Sequence, residues 1–436
     1  MSDWTTSTLE EGLDRLIDYR GKSPPKSVTG IPVISAKVVK TSGLLKPIEQ
    51  TISPDYYSTW MTRGLPQIGD VVLTTEGPLG EVIQLDAESV TYALGQRVVC
   101  LRGKTSVLDN TFLRYLLTSP AQQEILASYA TGTTVAGISQ KALRSIPISY
   151  PSVEEQRRLG EVLCALDDKI DFNRRTNETL ETMAQAIFRD WFVDFGPVRR
   201  KMAGTTDPVA IMGGLMPDPT RATELAVLFP DALGDDDLPL GWTAGDFGDL
   251  ATTAGESVDP TRLGEHTPYI GLEHMPRRSI SLDNWDYAGK VSSQKSRFSS
   301  GQVLFGKLRP YFHKVGIAPV DGVCSTDIVV LDSRTDFDRE LIACCASSDA
   351  FVAFTDLTSS GTKMPRTSWS HMKTYELAIA DAPVRRAFSE IIRPMHQKVV
   401  GSVGENRNLA ETRDYLLPRL MSGEVRVGDG ALEIAA

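Results

Sequence analysis

The chain has 436 residues, 46 basic and 56 acidic side chains and a formal charge of −10, with a hydrophobic share of 41% and a charged share of 23%. At roughly 150 residues per domain this length suggests two to four domains, and the composition excludes a fully disordered or fibrous protein. The acidic balance argues against a nonspecific nucleic-acid binder acting through bulk charge, while leaving local basic surfaces open. No apolar run approaches the ~20 residues that span a bilayer, and Met1-Ser2-Asp3-Trp4 lacks the charged and apolar start of a signal peptide. No membrane association and a cytoplasmic location are therefore expected. Cys100, Cys164, Cys324, Cys344 and Cys345 show no CxxC or His-paired spacing, which favours buried free thiols over disulfides or a zinc site.

Sliding the sequence along itself reveals a tandem duplication. Trp4 matches Trp242 at an offset of 238, Pro32 and Ile34 match Pro268 and Ile270 at 236, and Gly69 and Val71 match Gly301 and Val303 at 232. Val99 and Leu101 meet Val329 and Leu331 at 230, after which an offset of 229 holds from Gly132-Thr133 and Gly361-Thr362 to Leu180 and Leu409. A steady drift of this kind is what small loop deletions produce; chance matches scatter in both directions.

In chain order, residues 1–150 alternate short β-like runs such as Asp70-Val71-Val72-Leu73 with Gly, Pro and Ser turns, the pattern of an α/β globule. Residues 151–195 read as one long helix that opens on a capping box, Ser152 and Glu155. Its seam runs Leu159, Leu163, Leu166, Ile170, Asn173, Asn177, Leu180, Ala184 and Ile187 at alternating spacings of four and three, a coiled-coil repeat. Residues 196–240, with Gly-Gly, several prolines and Asp235-Asp236-Asp237, read as a connector serving only as reach, with one short helix near Thr220–Leu228. A second α/β globule fills 241–380. A second helical region, 381–425, carries the seam Phe388, Ile392, Met395, Val399, Ser402, Asn406, Leu409, Arg413 and Leu416, interrupted by Arg413, before a tail at 426–436. Two seams of equal length predict that the helices pack on each other into a rod on the order of 50 Å, with central asparagines fixing the register, the alternative being that each helix packs only on its own globule; antiparallel pairing would give a pseudo-two-fold axis.

Catalytic strings do not hold up. Gly301-Gln302-Val303-Leu304-Phe305-Gly306-Lys307-Leu308 imitates a P-loop but has Leu308 where a hydroxyl must bind magnesium, and Asp194-Phe195-Gly196 lacks every other kinase motif. The histidines form no ligand set, so a chain without metal or cofactor is expected. Lys307-Leu308-Arg309-Pro310-Tyr311-Phe312-His313-Lys314 alternates basic and aromatic residues after a strand, a pattern suited to nucleic acid, with Lys307, Arg309, Tyr311, His313 and Lys314 as candidate contacts. The hydroxyl-rich turns at Thr133 and Thr134, and at Thr362 and Lys363, are followed by Gln140, Lys141 and Arg144 and by Arg366 and Trp369; all are candidate DNA contacts. The stripe Phe188, Trp191, Phe192 and Phe195 reads as packing within the chain, with partner docking as the alternative.

The order globule, long helix, globule, long helix resembles the specificity subunit of Type I restriction–modification enzymes. So do Gly306-Lys307-Leu308-Arg309-Pro310-Tyr311, Glu155-Gln156-Arg157-Arg158, the run from Phe188 to Phe195, Leu238-Pro239-Leu240-Gly241-Trp242 and the run from Leu416 to Glu424. The second unit departs from the pattern, with Val384-Arg385-Arg386 in place of Glu-Gln-Arg. The resemblance implies an α+β fold with two α/β target recognition domains in tandem, joined by two long antiparallel coiled-coil helices. It implies a non-catalytic subunit whose domains each read one half of a bipartite double-stranded DNA target. The partners implied are two modification subunits, which hold the S-adenosylmethionine, and restriction subunits that join for cleavage. The alternative reading is a coiled-coil assembly scaffold whose heads bind proteins.

Overall fold

The structure, a computed structural model, describes residues 4–19, 23–132, 135–361, 363–428 and 432–434. It divides into two compact units, Met1–Asp168 with Leu409–Ala436, and Lys169–Asn408. Each unit thus combines one globular head with a segment of both long helices. Among the described residues no helix is long and apolar enough to cross a membrane.

In the first unit β1 (Leu13–Asp18), β2 (Val71–Thr75), β3 (Leu79–Gln84) and β4 (Val98–Gly103) form an antiparallel sheet in the order β1-β4-β2-β3. Successive strand residues point to opposite faces, and both faces are covered. Val71, Leu73, Val82, Val99 and Leu101 pack under the helices Asn110–Thr118 and Pro120–Ser128, while Val72, Ile83, Val98 and Cys100 pack on a smaller sheet containing Val33, Ile34 and Ile52. This two-sided burial explains the unbroken apolar run at 71–73. Asp109 caps the first helix by accepting from the amides of Thr111 and Phe112, and Ser119 caps the second ahead of Pro120.

The second unit repeats this plan. β5 (Ala251–Thr253), β6 (Val303–Gly306), β7 (Val315–Ile317) and β8 (Ile328–Ser333) run in the order β5-β8-β6-β7, with helices Arg339–Ala346 and Asp349–Leu357 on one face. In both heads a strand near the start pairs with the strand that leads into the long helix: Thr5–Thr8 with Pro147–Tyr150, and Thr243–Asp246 with Glu376–Ile379. The duplication read in the sequence is therefore a duplication of topology.

The long helices are α1 (Val153–Phe192) and α2 (Ala382–Ser422), 40 and 41 residues long. In the first unit Leu159 and Leu163 of α1 share a core with Leu417, Leu420 and Met421 of α2. In the second unit Ala184, Ile187 and Phe188 pack with Phe388, Ile392 and Val399, flanked by the partly buried Leu180 and Met395. Ile170 is buried, and Leu409 is half-buried. Asn173 donates to Asn406 Oδ1 at 2.8 Å and to Glu405 at 2.9 Å, and Asn177 reaches the Val399 carbonyl at 3.5 Å. Numbers rise on one helix as they fall on the other, so the pairing is antiparallel.

One detail of the seam differs from the sequence reading. Leu166 is only half-buried, and at this level the seam passes to Asp167, which meets Arg413; the residue that interrupts the second seam has its counter-charge on the first. Asn406 pairs with Asn173. Asn173 Oδ1, Asn177 Oδ1 and Ser402 Oγ accept no hydrogen bond among the described residues, which is a cost paid for register rather than stability. Replacing Asn173 and Asn406 together by Leu is therefore expected to keep or raise the melting temperature of the intact chain. A sharp fall on calorimetry would show that the pair holds the unit together.

The segment at 196–240 is not a loose tether. Its helices Gly196–Met202, Pro208–Ile211 and Pro219–Val227, with the turns that follow the last two, bury Val198, Ile211, Met212, Leu225 and Phe229 in the core of the second unit. Trp191 lies 4.9 Å from Phe229 and 5.9 Å from Phe388, and Phe192 and Phe195 lie 5.8 and 5.6 Å from Trp242. The stripe Phe188–Phe195 is core.

His396, on α2, is buried beside Cys344, its Nε2 4.0 Å from the thiol. Burial pushes its imidazole down to about 4, against the opposing pull of the Glu340 charge. Below an ordinary pKa near 6.5 the unfolded chain takes up a proton that the folded unit refuses until about 4. Stability present at neutral pH is thus lost as pH falls across that window, by about 3 kcal/mol at most. Urea titrations at pH 7 and pH 5 should show a smaller loss for His396→Leu than for the wild type; equal losses would contradict this.

Candidate nucleic-acid interface

In the second head the two stretches singled out in the sequence meet. Strand β6 ends at Gly306, and the chain turns through Arg309 and His313, both left-handed at φ of 52° and 51°, into β7. The Arg309 amide bonds to Pro365 O at 2.7 Å, the Thr367 amide to Lys307 O at 3.0 Å, and Leu308 and Ser360 both bridge to Arg366. The turn before β8 joins them, its Asp327 carbonyl accepting the Lys307 amide at 2.9 Å. Three loops are thus stitched by backbone into one surface. It displays Arg309, Lys363, Arg366 and the half-exposed Tyr311, whose ring rests edge-on against Phe312 at 4.7 Å. Arg277 lies over the Phe312 ring, 3.9 Å from its centroid. Among the described residues Arg309 forms no ion pair, and its guanidinium lies 5.8 Å from the Phe312 ring.

The first head stitches the same three loops. Glu76 and Thr131 both bridge to Gly137, the Ile138 amide bonds to Thr75 O at 3.0 Å, and the Thr75 amide bonds to Arg97 O at 2.8 Å. Gly77, at φ 54°, stands where the second head has Arg309, and a proline follows in both. Here the exposed basic group is Arg97, which faces Glu76. Gln140 and Lys141 lie exposed on the first turn of the helix Gln140–Ser145, capped by Ser139.

Several expected contacts are otherwise engaged. His313 is a correction: it is buried, its Nε2 bonds to Ser347 O at 2.9 Å, and its left-handed backbone turns the ring inward, away from any ligand. Burial lowers its pKa. Lys314 donates to the Leu272 carbonyl and is half-buried, so it supports the loop instead of extending from it. Trp369 is half-buried against Phe247, ring centroids 6.2 Å apart, and Arg144 pairs with Glu10 at 2.8 Å. Thr133, Thr134 and Thr362 lie outside the described residues. Arg97, Glu76 and Arg277 were not singled out in the sequence. The repeat offset of 230 that aligns Arg97 with Asp327 is the signal that points to the first of them. Among the described residues no cluster of His, Cys, Asp and Glu could hold a metal ion, and the five cysteines are free, four of them buried.

The fold is thus a duplicated α/β head on paired long helices, with one loop cluster repeated in each head. Residues 1–182 match the family described as the Type I restriction modification DNA specificity domain. The chain is 23% identical over 368 residues to the Type I restriction enzyme MjaIX specificity subunit of Methanocaldococcus jannaschii, covering 82% of this chain and 78% of that one. It is 24% identical over 402 residues to the HindI specificity subunit of Haemophilus influenzae, covering 82% and 86%. In fold it is similar to the crystal structure of a Type I restriction–modification S subunit from M. genitalium, with a TM-score of 0.51 and 14% identity over 96% of both chains. Over residues 1–182 the chain matches that domain family, and over most of its length it is similar to specificity subunits of Type I restriction–modification enzymes.

Proposed function

We propose that this chain is the non-catalytic, DNA-reading subunit of a Type I complex, each head reading one half of a bipartite target. The paired helices set the unread spacer and dock two modification subunits, which hold S-adenosylmethionine and methylate adenines; restriction subunits join for cleavage. The observation that carries this reading is the loop cluster. Both heads keep its backbone stitching, yet its side chains differ, Gly77 and Arg97 in one against Arg309 and Asp327 in the other. A constant frame with exchanged side chains is what two readers of different sequences require. The total charge of −10 fits a subunit whose partners supply much of the backbone contact.

Arg309→Ala, in the chain bound to its modification subunits, is expected to reduce discrimination by about 1–3 kcal/mol at one position of one half-site. Competition binding with single-base variants of the target checks this. Equal loss at both half-sites contradicts it, and a complex with no salt-dependent DNA affinity favours protein-binding heads.

A further inference from the structure

Each head keeps one carboxylate–guanidinium pair where its three loops meet, but the two heads build it from different chain positions. In the first, Arg97 before β4 faces Glu76 after β2, Nη2 to Oε1 3.4 Å. In the second, the position of Arg97 is held by Asp327, which takes Arg366 from the third loop, Nη2 to Oδ1 2.6 Å. The backbone around both is shared: the carbonyl of Arg97 or Asp327 accepts the amide of Thr75 or Lys307, and Gly137 or Arg366 bridges to Glu76 or Leu308. The charge at one turn has inverted, and a pair persists.

Stability does not account for it. The side chains are 52% and 41% exposed in the first pair and 52% and 27% in the second, a range in which ion pairs contribute little to folding. Gly77 also leaves room for the arginine, since a Cβ there would come within 3.0 Å of Arg97 Nη1. A guanidinium carries five donors in a rigid fork, so an ion pair with one carboxylate leaves donors for a pair of acceptors such as O6 and N7 of guanine. An unpaired arginine on a DNA-facing loop can bind phosphate as readily as a base edge. One neutralised by a carboxylate gains less from phosphate and is held in one orientation.

Resting on the DNA-reading function above, we propose that Arg97 and Arg366 each read a guanine, one in each half-site, beside whatever position Arg309 reads. Glu76 and Asp327 are their positioning residues: each carboxylate withholds its arginine from phosphate and aims it at a base edge. The test places Glu76→Gln, Asp327→Asn and the conservative Asp327→Glu in the full chain, expressed with its modification gene, and reads the methylated motif by single-molecule sequencing of host DNA. Glu76→Gln is expected to relax a guanine position in one half-site and Asp327→Asn one in the other, each by about tenfold in preference. Spacer and melting temperature stay as in the wild type, and Asp327→Glu keeps the motif. An unchanged motif in both neutral variants overturns the proposal, as does a lowered melting temperature with uniformly weaker methylation and an unaltered motif. A wild-type host without a split adenine motif overturns the DNA-reading function itself, and the role of the pair with it.

Discussion

Trp191→Ala is expected to destabilise the second unit by about 3–5 kcal/mol, the cost of truncating a fully buried aromatic side chain. Only 1% of Trp191 is exposed, and its ring is enclosed by Phe192, Phe229 and Phe388 at centroid distances of 6.3, 4.9 and 5.9 Å. It joins α1, α2 and the segment 196–240 in one core, so a cavity there cannot close by a loop settling inward. Its indole nitrogen has no hydrogen-bond partner among the described residues. Trp191→Phe should accordingly cost far less than Trp191→Ala. Chemical denaturation of both variants checks this. Retained stability in Trp191→Ala with loss of the modification subunits would make the residue an interface anchor instead.

Asp167→Leu should cost the first unit about 3 kcal/mol, because it removes the buried acceptor shared by two half-buried arginines and a buried tyrosine hydroxyl. The carboxylate accepts from Arg114 at 2.7 Å, the Tyr115 hydroxyl at 2.8 Å and Arg413 at 2.8 Å, and its own side chain is 11% exposed. Adding Arg413→Leu should recover part of the loss, since two facing leucines continue the apolar seam. It cannot recover all of it, because Arg114 and Tyr115 remain without their acceptor. Denaturation of the single and double variants decides; a single-variant cost under about 1 kcal/mol would place the network among solvated surface pairs.

The network also shows what the sequence could and could not disclose. Arg413 read as a flaw in the second seam because its partner sits one position off the first; a heptad count finds apolar seams and is blind to an ion pair that replaces one layer. The departure at Arg385 was similarly opaque. In the first unit the buried Gln156 accepts the Asp109 amide at 2.8 Å and donates to Pro151 O at 2.9 Å. Arg385 occupies the equivalent place and ties Asp338 and the Ala380 carbonyl, so a changed letter preserves the same tether between head and helix.

The duplication, the two long helices and their antiparallel pairing were legible because each leaves a periodic trace over tens of residues. Residues 196–240 were not: their helices are four to nine residues long, too short for a 3.6 period to stand out against the prolines and glycines that start and stop them. The loop cluster was half legible. Alternating charge and aromatics marked Lys307–Lys314, but two left-handed residues within it decide that Tyr311 points out while His313 turns in. No spacing rule discloses that.

The most direct measurement is adenine methylation mapping, by single-molecule sequencing, of a host carrying this gene beside its modification gene against the same host with this gene deleted. The expected result is a split motif, two half-sites with unread bases between them, present with the gene and absent without it. Methylation unchanged by the deletion, with the modification subunit shown to be expressed, would contradict a DNA-reading role for this chain.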